Sequence, residues 1–220
     1  LSAFASVGLT TWLLAFAGAV AGVLVASLRW RVLLGAYGAA APPGLRELFR
    51  HSLVGIYYSI LPGGVAGDVL RAYRVRGALS STGISLTVVL VDRVCGFVGL
   101  LLVAAAGMLI ERTAWDNQVV LALDIGVACA GLFVLVFLLV PYALRRSEAW
   151  RARAASVPLV GRLVTRIPPA HSAPGLLAAV GLSVATQALA VGVIALLENA
   201  VHPAATARTC ARVVPLIILL

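Results

Sequence analysis

Two stretches of this chain place charged side chains within strongly apolar sequence. The first is rich in glycine and closes with an acid and a base: Pro62, Gly63, Gly64, Gly67, Asp68 and Arg71. The second is the dipeptide Asp92-Arg93, inside the apolar run 84–110. A charge near the centre of a bilayer costs about 2.5–3.5 kcal/mol, so such residues face a protein interior or a cavity and find partners there. These eight residues are the candidate functional residues.

The spacing of the four charged residues indicates how they pair. Adjacent helix positions point about 100° apart, so Asp92 and Arg93 cannot easily neutralise each other. Asp68 and Arg71 are three residues apart and share one helix face. The spacing favours the pairs Asp92–Arg71 and Arg93–Asp68 without fixing the pairing.

The glycines suggest a binding role for the same stretch. A helix that begins after Gly63-Gly64 leaves several backbone N–H groups unpaired, and its dipole is positive at that end. Glycine lets a ligand approach the backbone closely. With Arg71 and Arg93 nearby, the start of this helix is therefore a candidate phosphate-binding site, or phosphate seat. The alternative interpretation is that Pro-Gly-Gly is only a turn and that the charges form only a structural ion pair. The residues by themselves give the two interpretations equal weight.

The composition indicates which solvent surrounds these charges. The chain is 62% apolar and 11% charged, whereas a soluble domain is about half apolar and about a quarter charged. The net charge is +9, and all 17 basic residues are arginine. Apart from Arg93, they lie between apolar runs, where membrane proteins carry their basic residues, so we expect no nucleic-acid partner. The composition predicts an all-α fold, a polytopic transmembrane helix bundle with a re-entrant element broken at Pro-Gly-Gly.

The apolar runs predict the membrane spans, and residues 1–220 are expected to form a single membrane domain that is truncated at both ends. A span needs about 20 apolar residues. The predicted spans, the last of them only begun, are about 7–28, 84–110, 119–141, 175–197 and 213–220. The run 52–61 is too short to cross and stops at Pro62-Gly63-Gly64, so we expect a re-entrant element over about 52–70.

The arginines between the runs predict the orientation. The basic segments 29–50, 71–76 and 142–174 should be cytoplasmic, and the loop 111–118 should be outside. Arg29, Trp30 and Arg31 are expected to end the first span as a basic and aromatic anchor at the membrane interface. The rest of the segment up to residue 50 is expected to form a short amphipathic piece on the membrane surface.

Three segments together resemble the lysylphosphatidylglycerol synthase transmembrane family, also called the flippase-like domain family. They read WRVLLGAYG, LFRHSLVGIYYSILPGGVAGDVLRAYRVR and SLTVVLVDRVCGFVGLLLVA. The likeness extends over residues 29–106. The element PGGxxGDxxR followed by a mid-membrane Asp-Arg pair is specific as a combination, whereas either part alone is weak.

The resemblance implies a polytopic protein of a bacterial or archaeal inner membrane. Some members of the family flip an aminoacylated phospholipid, and others are linked to polyprenyl-phosphate sugars and cell-envelope glycans. Ser59 stands where the family pattern has asparagine. A second glycine- and acid-containing re-entrant element is expected beyond Leu220, so this stretch would hold half of a translocation site. The motif positions carry over to Pro62, Gly63, Gly67, Asp68, Arg71, Asp92 and Arg93.

The expected function is therefore translocation of a phosphate-bearing lipid in the plasma membrane. The lipid would be an anionic phospholipid or a polyprenyl-phosphate-linked glycan precursor. The alternative is a non-catalytic accessory or scaffold protein for cell-envelope synthesis, with an envelope glycosyltransferase as a possible partner. A membrane-embedded enzyme is disfavoured because no catalytic motif, metal-ligand spacing or soluble aminoacyltransferase domain occurs in the sequence. We expect no catalytic residues, no cofactor and no metal.

Overall fold

The computed structural model of the chain describes residues 7–59, 66–79, 81–110, 125–126, 131–132 and 170–201. Five helices are defined in these ranges: α1 (Leu9–Ala36), α2 (Leu45–Ser59), α3 (Ala66–Val75), α4 (Thr82–Ile110) and α5 (Ala173–Val201). A short 3-10 turn, Arg76–Ala78, follows α3. No strand occurs within those ranges, and the predicted all-α fold is confirmed.

Three of the helices are long and apolar enough to cross a membrane. They are Leu9–Ala36, Thr82–Gly107 and Ala173–Val201, with 28, 26 and 29 residues. At 1.5 Å per residue each is about 40 Å long, more than the roughly 30 Å of a hydrocarbon core. The predicted spans 7–28, 84–110 and 175–197 fall on these helices. The predicted spans 119–141 and 213–220 lie outside the described residues.

Helix α1 continues eight residues beyond the predicted span, which ended at residue 28. Nothing in the intervening sequence breaks a helix, since no proline occurs before Pro42. The end comes at Gly38, whose φ is +90°. There the Ala39 N–H donates to the Leu34 carbonyl at 3.0 Å and the Gly38 N–H to the Gly35 carbonyl at 3.1 Å, a Schellman ending.

The interfacial anchor predicted at the end of the first span is therefore wrong for two of its three residues. Arg29 and Trp30 are buried, and only Arg31 is exposed. The apolar run ends at the first charge, but a helix ends only where its backbone hydrogen bonds do. The turns beyond residue 28 consequently place Arg29 and Trp30 inside the protein.

The chain divides into two compact units. The first comprises Ser27–Cys95 and Leu132–Val180. Its core is formed by apolar residues from α1 to α5, and the largest fully buried side chains include Trp30, Leu33, Leu48 and Val88. The backbone N–H of His171 donates to the Ala36 carbonyl at 2.7 Å, which supplies a partner for the end of α1.

Helices α2 and α3 pack against each other within the first unit. The predicted surface piece and the apolar run that follows it form one helix, α2, which ends at Ser59. Gly55 of α2 is buried against α3, where a Cβ atom would lie 2.8 Å from the Arg71 Cδ and 3.6 Å from the Gly67 carbonyl oxygen. Pro62, Gly63 and Gly64 lie outside the described residues, so the re-entrant element stays a prediction.

The second unit comprises Leu1–Ala26, Gly96–Gly131 and Gly181–Leu220. Its helices approach closely at small residues. A Cβ atom on Gly99 of α4 would lie 2.6 Å from the Ser183 carbonyl carbon of α5, and one on Gly18 of α1 would lie 2.6 Å from the Val193 Cγ2. Small residues that let backbones meet are the usual means of helix packing in a membrane.

Replacing Gly99 by alanine should lower the free energy of unfolding by about 1–3 kcal/mol, because the added methyl group meets backbone that cannot rotate away. The matched control is Gly192→Ala on α5, where nothing lies within 4 Å of the added atom. That change should be neutral or stabilising, since alanine favours helix by up to about 1 kcal/mol over glycine. Thermal unfolding in detergent compares the two variants. Equal stability of the two variants would contradict the close approach.

Candidate functional site

The predicted charged residues meet in the first unit. We call the five residues Arg29, Asp68, Arg71, Asp92 and Arg93 the charge cluster. They come from the last two turns of α1, from α3 and from the middle of α4. Both predicted pairs are present, and Arg29 joins them as a member that the sequence analysis did not include.

Asp92 is the buried centre of the cluster. Its Oδ1 accepts a hydrogen bond from the Arg29 Nε at 2.7 Å, and its Oδ2 accepts one from the Arg71 Nη1 at 3.5 Å. The side chains of Arg29 and Asp92 are only 10% and 2% exposed. A buried carboxylate held by two guanidinium groups joins α1, α3 and α4, because breaking a buried ion pair leaves a charge that is costly to bury alone.

Arg29 could have been found from the periodicity of α1. Trp30, Leu33, Leu34 and Tyr37 recur at helical spacing and are all buried. These apolar residues continue at helical spacing beyond Arg29. They indicate that the helix continues as well and that Arg29 lies in the protein interior. The hydropathy pattern alone instead predicts that the span ends at this arginine.

Arg71 lies between both acids. Its Nη1 is 3.5 Å from Asp92 and 3.9 Å from Asp68, and its guanidinium carbon is 4.2 Å from the centre of the Trp30 ring. Among the described residues, its Nε has no hydrogen-bond partner. Burial lowers the pKa of Arg71, while Asp92 and Asp68 raise it. A guanidinium stays protonated under these conditions, so the group keeps its charge.

The second predicted pair, Arg93–Asp68, is made by two parallel hydrogen bonds. The Arg93 Nε donates to the Asp68 Oδ2 at 2.8 Å, and the Nη2 donates to the Oδ1 at 2.6 Å. This pair is open, because the Arg93 side chain is 58% exposed and that of Asp68 is 21% exposed. Asp68 lies in the first turn of α3, where the helix dipole favours a negative group.

The cluster combines three arginines with two aspartates. The Arg93–Asp68 pair is its most exposed part. An anion that binds at Arg93 would gain charge-assisted hydrogen bonds from the guanidinium.

Of the remaining predicted site residues, only Gly67 lies in the described part of the chain. Gly67 is buried on α3 beside Gly55. Pro62, Gly63 and Gly64 lie outside the described residues, so their part in a phosphate seat stays a prediction. Within the part of the chain that the structure describes, no three histidine, cysteine, aspartate or glutamate residues are grouped as a metal ion would require.

Comparison with known proteins gives one family. The family model described as "Lysylphosphatidylglycerol synthase TM region" matches residues 1–220. Comparisons with curated proteins and with solved structures find no match.

Proposed function

Because this chain belongs to the lysylphosphatidylglycerol synthase TM region family, and is therefore an integral membrane protein, we propose that it translocates a phosphate-bearing lipid. The lipid is an anionic phospholipid or a polyprenyl-phosphate-linked glycan precursor of the cell envelope. The single observation that carries the proposal is the exposed Arg93–Asp68 pair at the edge of the charge cluster.

The Arg29–Asp92 pair and the Arg93–Asp68 pair have different roles in this proposal. Arg29 and Asp92 are buried and hold the helices together. Arg93 is exposed and has the planar fork of donors that matches two phosphate oxygens. The phosphate of the headgroup binds at Arg93 while the acyl or prenyl chains stay in the lipid, so the polar part of the substrate avoids bare hydrocarbon during its passage.

One observation favours the second candidate, a non-catalytic accessory or scaffold protein for envelope synthesis. Asp92 is buried and each of its carboxylate oxygens accepts a hydrogen bond from an arginine, as expected of a purely structural charge. That description does not extend to Arg93, whose exposure gives a structural pair little energetic value. Exposed ion pairs contribute about 0–1 kcal/mol to stability.

The test is a reconstituted translocation assay on the full-length protein with a panel of lipids. Proteoliposomes carry fluorescent phosphatidylglycerol, phosphatidylcholine or a polyprenyl phosphate, and a membrane-impermeant reductant reports the leaflet. Faster movement of phosphatidylglycerol or of the polyprenyl phosphate than in protein-free liposomes is expected, with phosphatidylcholine as the lipid without net charge for comparison. Translocation of none would leave the scaffold function.

The proposal includes the orientation in the plasma membrane of the cell. Arg46→Cys and Arg76→Cys, each in a variant without the three native cysteines, should be labelled from the cytoplasmic side, because both lie in basic segments. Both arginines are exposed, so a reagent can reach them. Arg112→Cys, in the predicted outside loop, is the control and should react from the other side.

Labelling of positions 46 and 76 from opposite sides would show that the intervening chain crosses the bilayer, which contradicts a re-entrant element. The third predicted cytoplasmic segment, 142–174, lies mostly outside the described residues.

A further inference from the structure

We propose that Asp68 is an internal substitute for the phosphate, one that occupies the Arg93 fork when no lipid is bound and is displaced by the incoming headgroup. This inference rests on the proposed function, since the ligand is a lipid phosphate. It adds a residue that sets the affinity of the site by competing with the substrate.

Asp68 and a phosphate would use the same kind of contact with Arg93. The Nε and Nη2 atoms of Arg93 each donate to one oxygen of Asp68, at 2.8 and 2.6 Å. Parallel donation to two oxygens is how arginine binds either a carboxylate or a phosphate. A headgroup can therefore take this edge of the guanidinium only when Asp68 releases it.

The pair is also placed where exchange is feasible. Arg93 is 58% exposed, whereas the neighbouring pair of Arg29 and Asp92 is closed. A displaced Asp68 carboxylate retains a second partner, because the Arg71 Nη1 is already 3.9 Å from its Oδ1. Release from Arg93 consequently does not leave the carboxylate without a base.

A carboxylate partner for Arg93 is useful when no lipid is bound. Without Asp68, an empty site would leave the Arg93 guanidinium without the two hydrogen bonds that compensate its charge. A charge without compensation is costly at membrane depth. The internal carboxylate thus lowers the cost of the empty state through which a translocator must pass after releasing its lipid.

The experiment measures binding of two probes to the full-length protein in detergent: short-chain phosphatidylglycerol and inorganic phosphate. Asp68→Asn keeps the shape of the side chain but removes its charge. If Asp68 holds Arg93 about nine-tenths of the time, the variant should bind with a Kd about tenfold lower. A gain with the lipid alone identifies the headgroup as the ligand, and an equal gain with inorganic phosphate identifies free phosphate; either supports competition by Asp68.

Two controls separate competition from a general change of charge. Glu47→Gln removes one exposed negative charge from α2, outside the cluster, and should leave the Kd unchanged. In an Arg93→Gln background, Asp68→Asn should leave the Kd unchanged, because the guanidinium for which Asp68 and the phosphate compete is absent. A gain that persists in that background would overturn the proposal.

An unchanged Kd for both probes would also overturn the proposal. If the pair serves only to join α3 to α4, its removal would reduce stability and leave the affinity unchanged. If Asp68→Asn fails to fold, Asp68→Ser is measured by the same criterion. The outcome is distinct from that of the translocation assay. A protein that binds more tightly after the substitution, yet moves no lipid, would contradict the proposed function while leaving the competition in place.

Discussion

Replacing Asp92 by leucine is expected to lower the free energy of unfolding by about 3–5 kcal/mol, the largest stability effect of any change considered. The carboxylate is the 2.7 Å partner of Arg29 and the 3.5 Å partner of Arg71. Arg29 is buried, so its guanidinium would lose its 2.7 Å carboxylate partner at a position with little access to water. The loss arises from the weaker compensation of that buried charge more than from the missing hydrogen bonds.

The double variant Arg29→Met with Asp92→Leu tests this origin. It removes both members of the buried pair and should recover part of the lost stability, because apolar groups of similar size often replace a buried ion pair at no cost. Recovery is partial because Arg71 still lacks its 3.5 Å partner, Asp92. Denaturant unfolding in detergent compares the single and double variants. A double variant as unstable as Asp92→Leu alone would mean that the charge of Arg29 is not the origin of the loss.

Replacing Arg93 by methionine together with Asp68 by leucine is expected to abolish lipid translocation while the protein stays folded. Two hydrogen bonds from a charged donor are worth about 1.5–3 kcal/mol each, so their loss should slow translocation at least about 100-fold. Stability should change by less than about 1 kcal/mol, because the pair is exposed and its two charges are removed together.

The matched control is Glu47→Leu with Arg50→Met. It makes the same pair of substitutions, acid to leucine and arginine to methionine, at exposed positions of α2. This control should translocate lipid at the normal rate. Normal translocation by the Arg93 and Asp68 double variant would end the proposal of a phosphate site, whereas lost translocation with an unchanged melting temperature would support it.

The pairs in the cluster could be predicted from the sequence because they follow from local rules. Asp68 and Arg71 share a helix face by spacing, and Asp92 and Arg93 require separate partners because adjacent positions diverge. Arg93–Asp68 was predicted and is present. Asp92–Arg71 is also present, at the longer distance of 3.5 Å.

The contribution of Arg29 could not be predicted by the same rules. Its partner is 63 residues away, and their contact depends on how α1 packs against α4. The hydropathy of the chain made Arg29 resemble the end of a span, since the apolar run stops there. The end of the helix is set instead by its backbone hydrogen bonds, which continue to Gly38.

Gly55 has a consequence for the evolution of the cluster. The Arg71 side chain occupies the space that any larger residue at position 55 would take. A mutation there would displace the guanidinium from Asp92 without altering a single charge. Positions 55 and 71 should therefore covary. A larger residue at position 55 is expected only after a shorter residue has replaced Arg71. The order of the two substitutions is thus constrained.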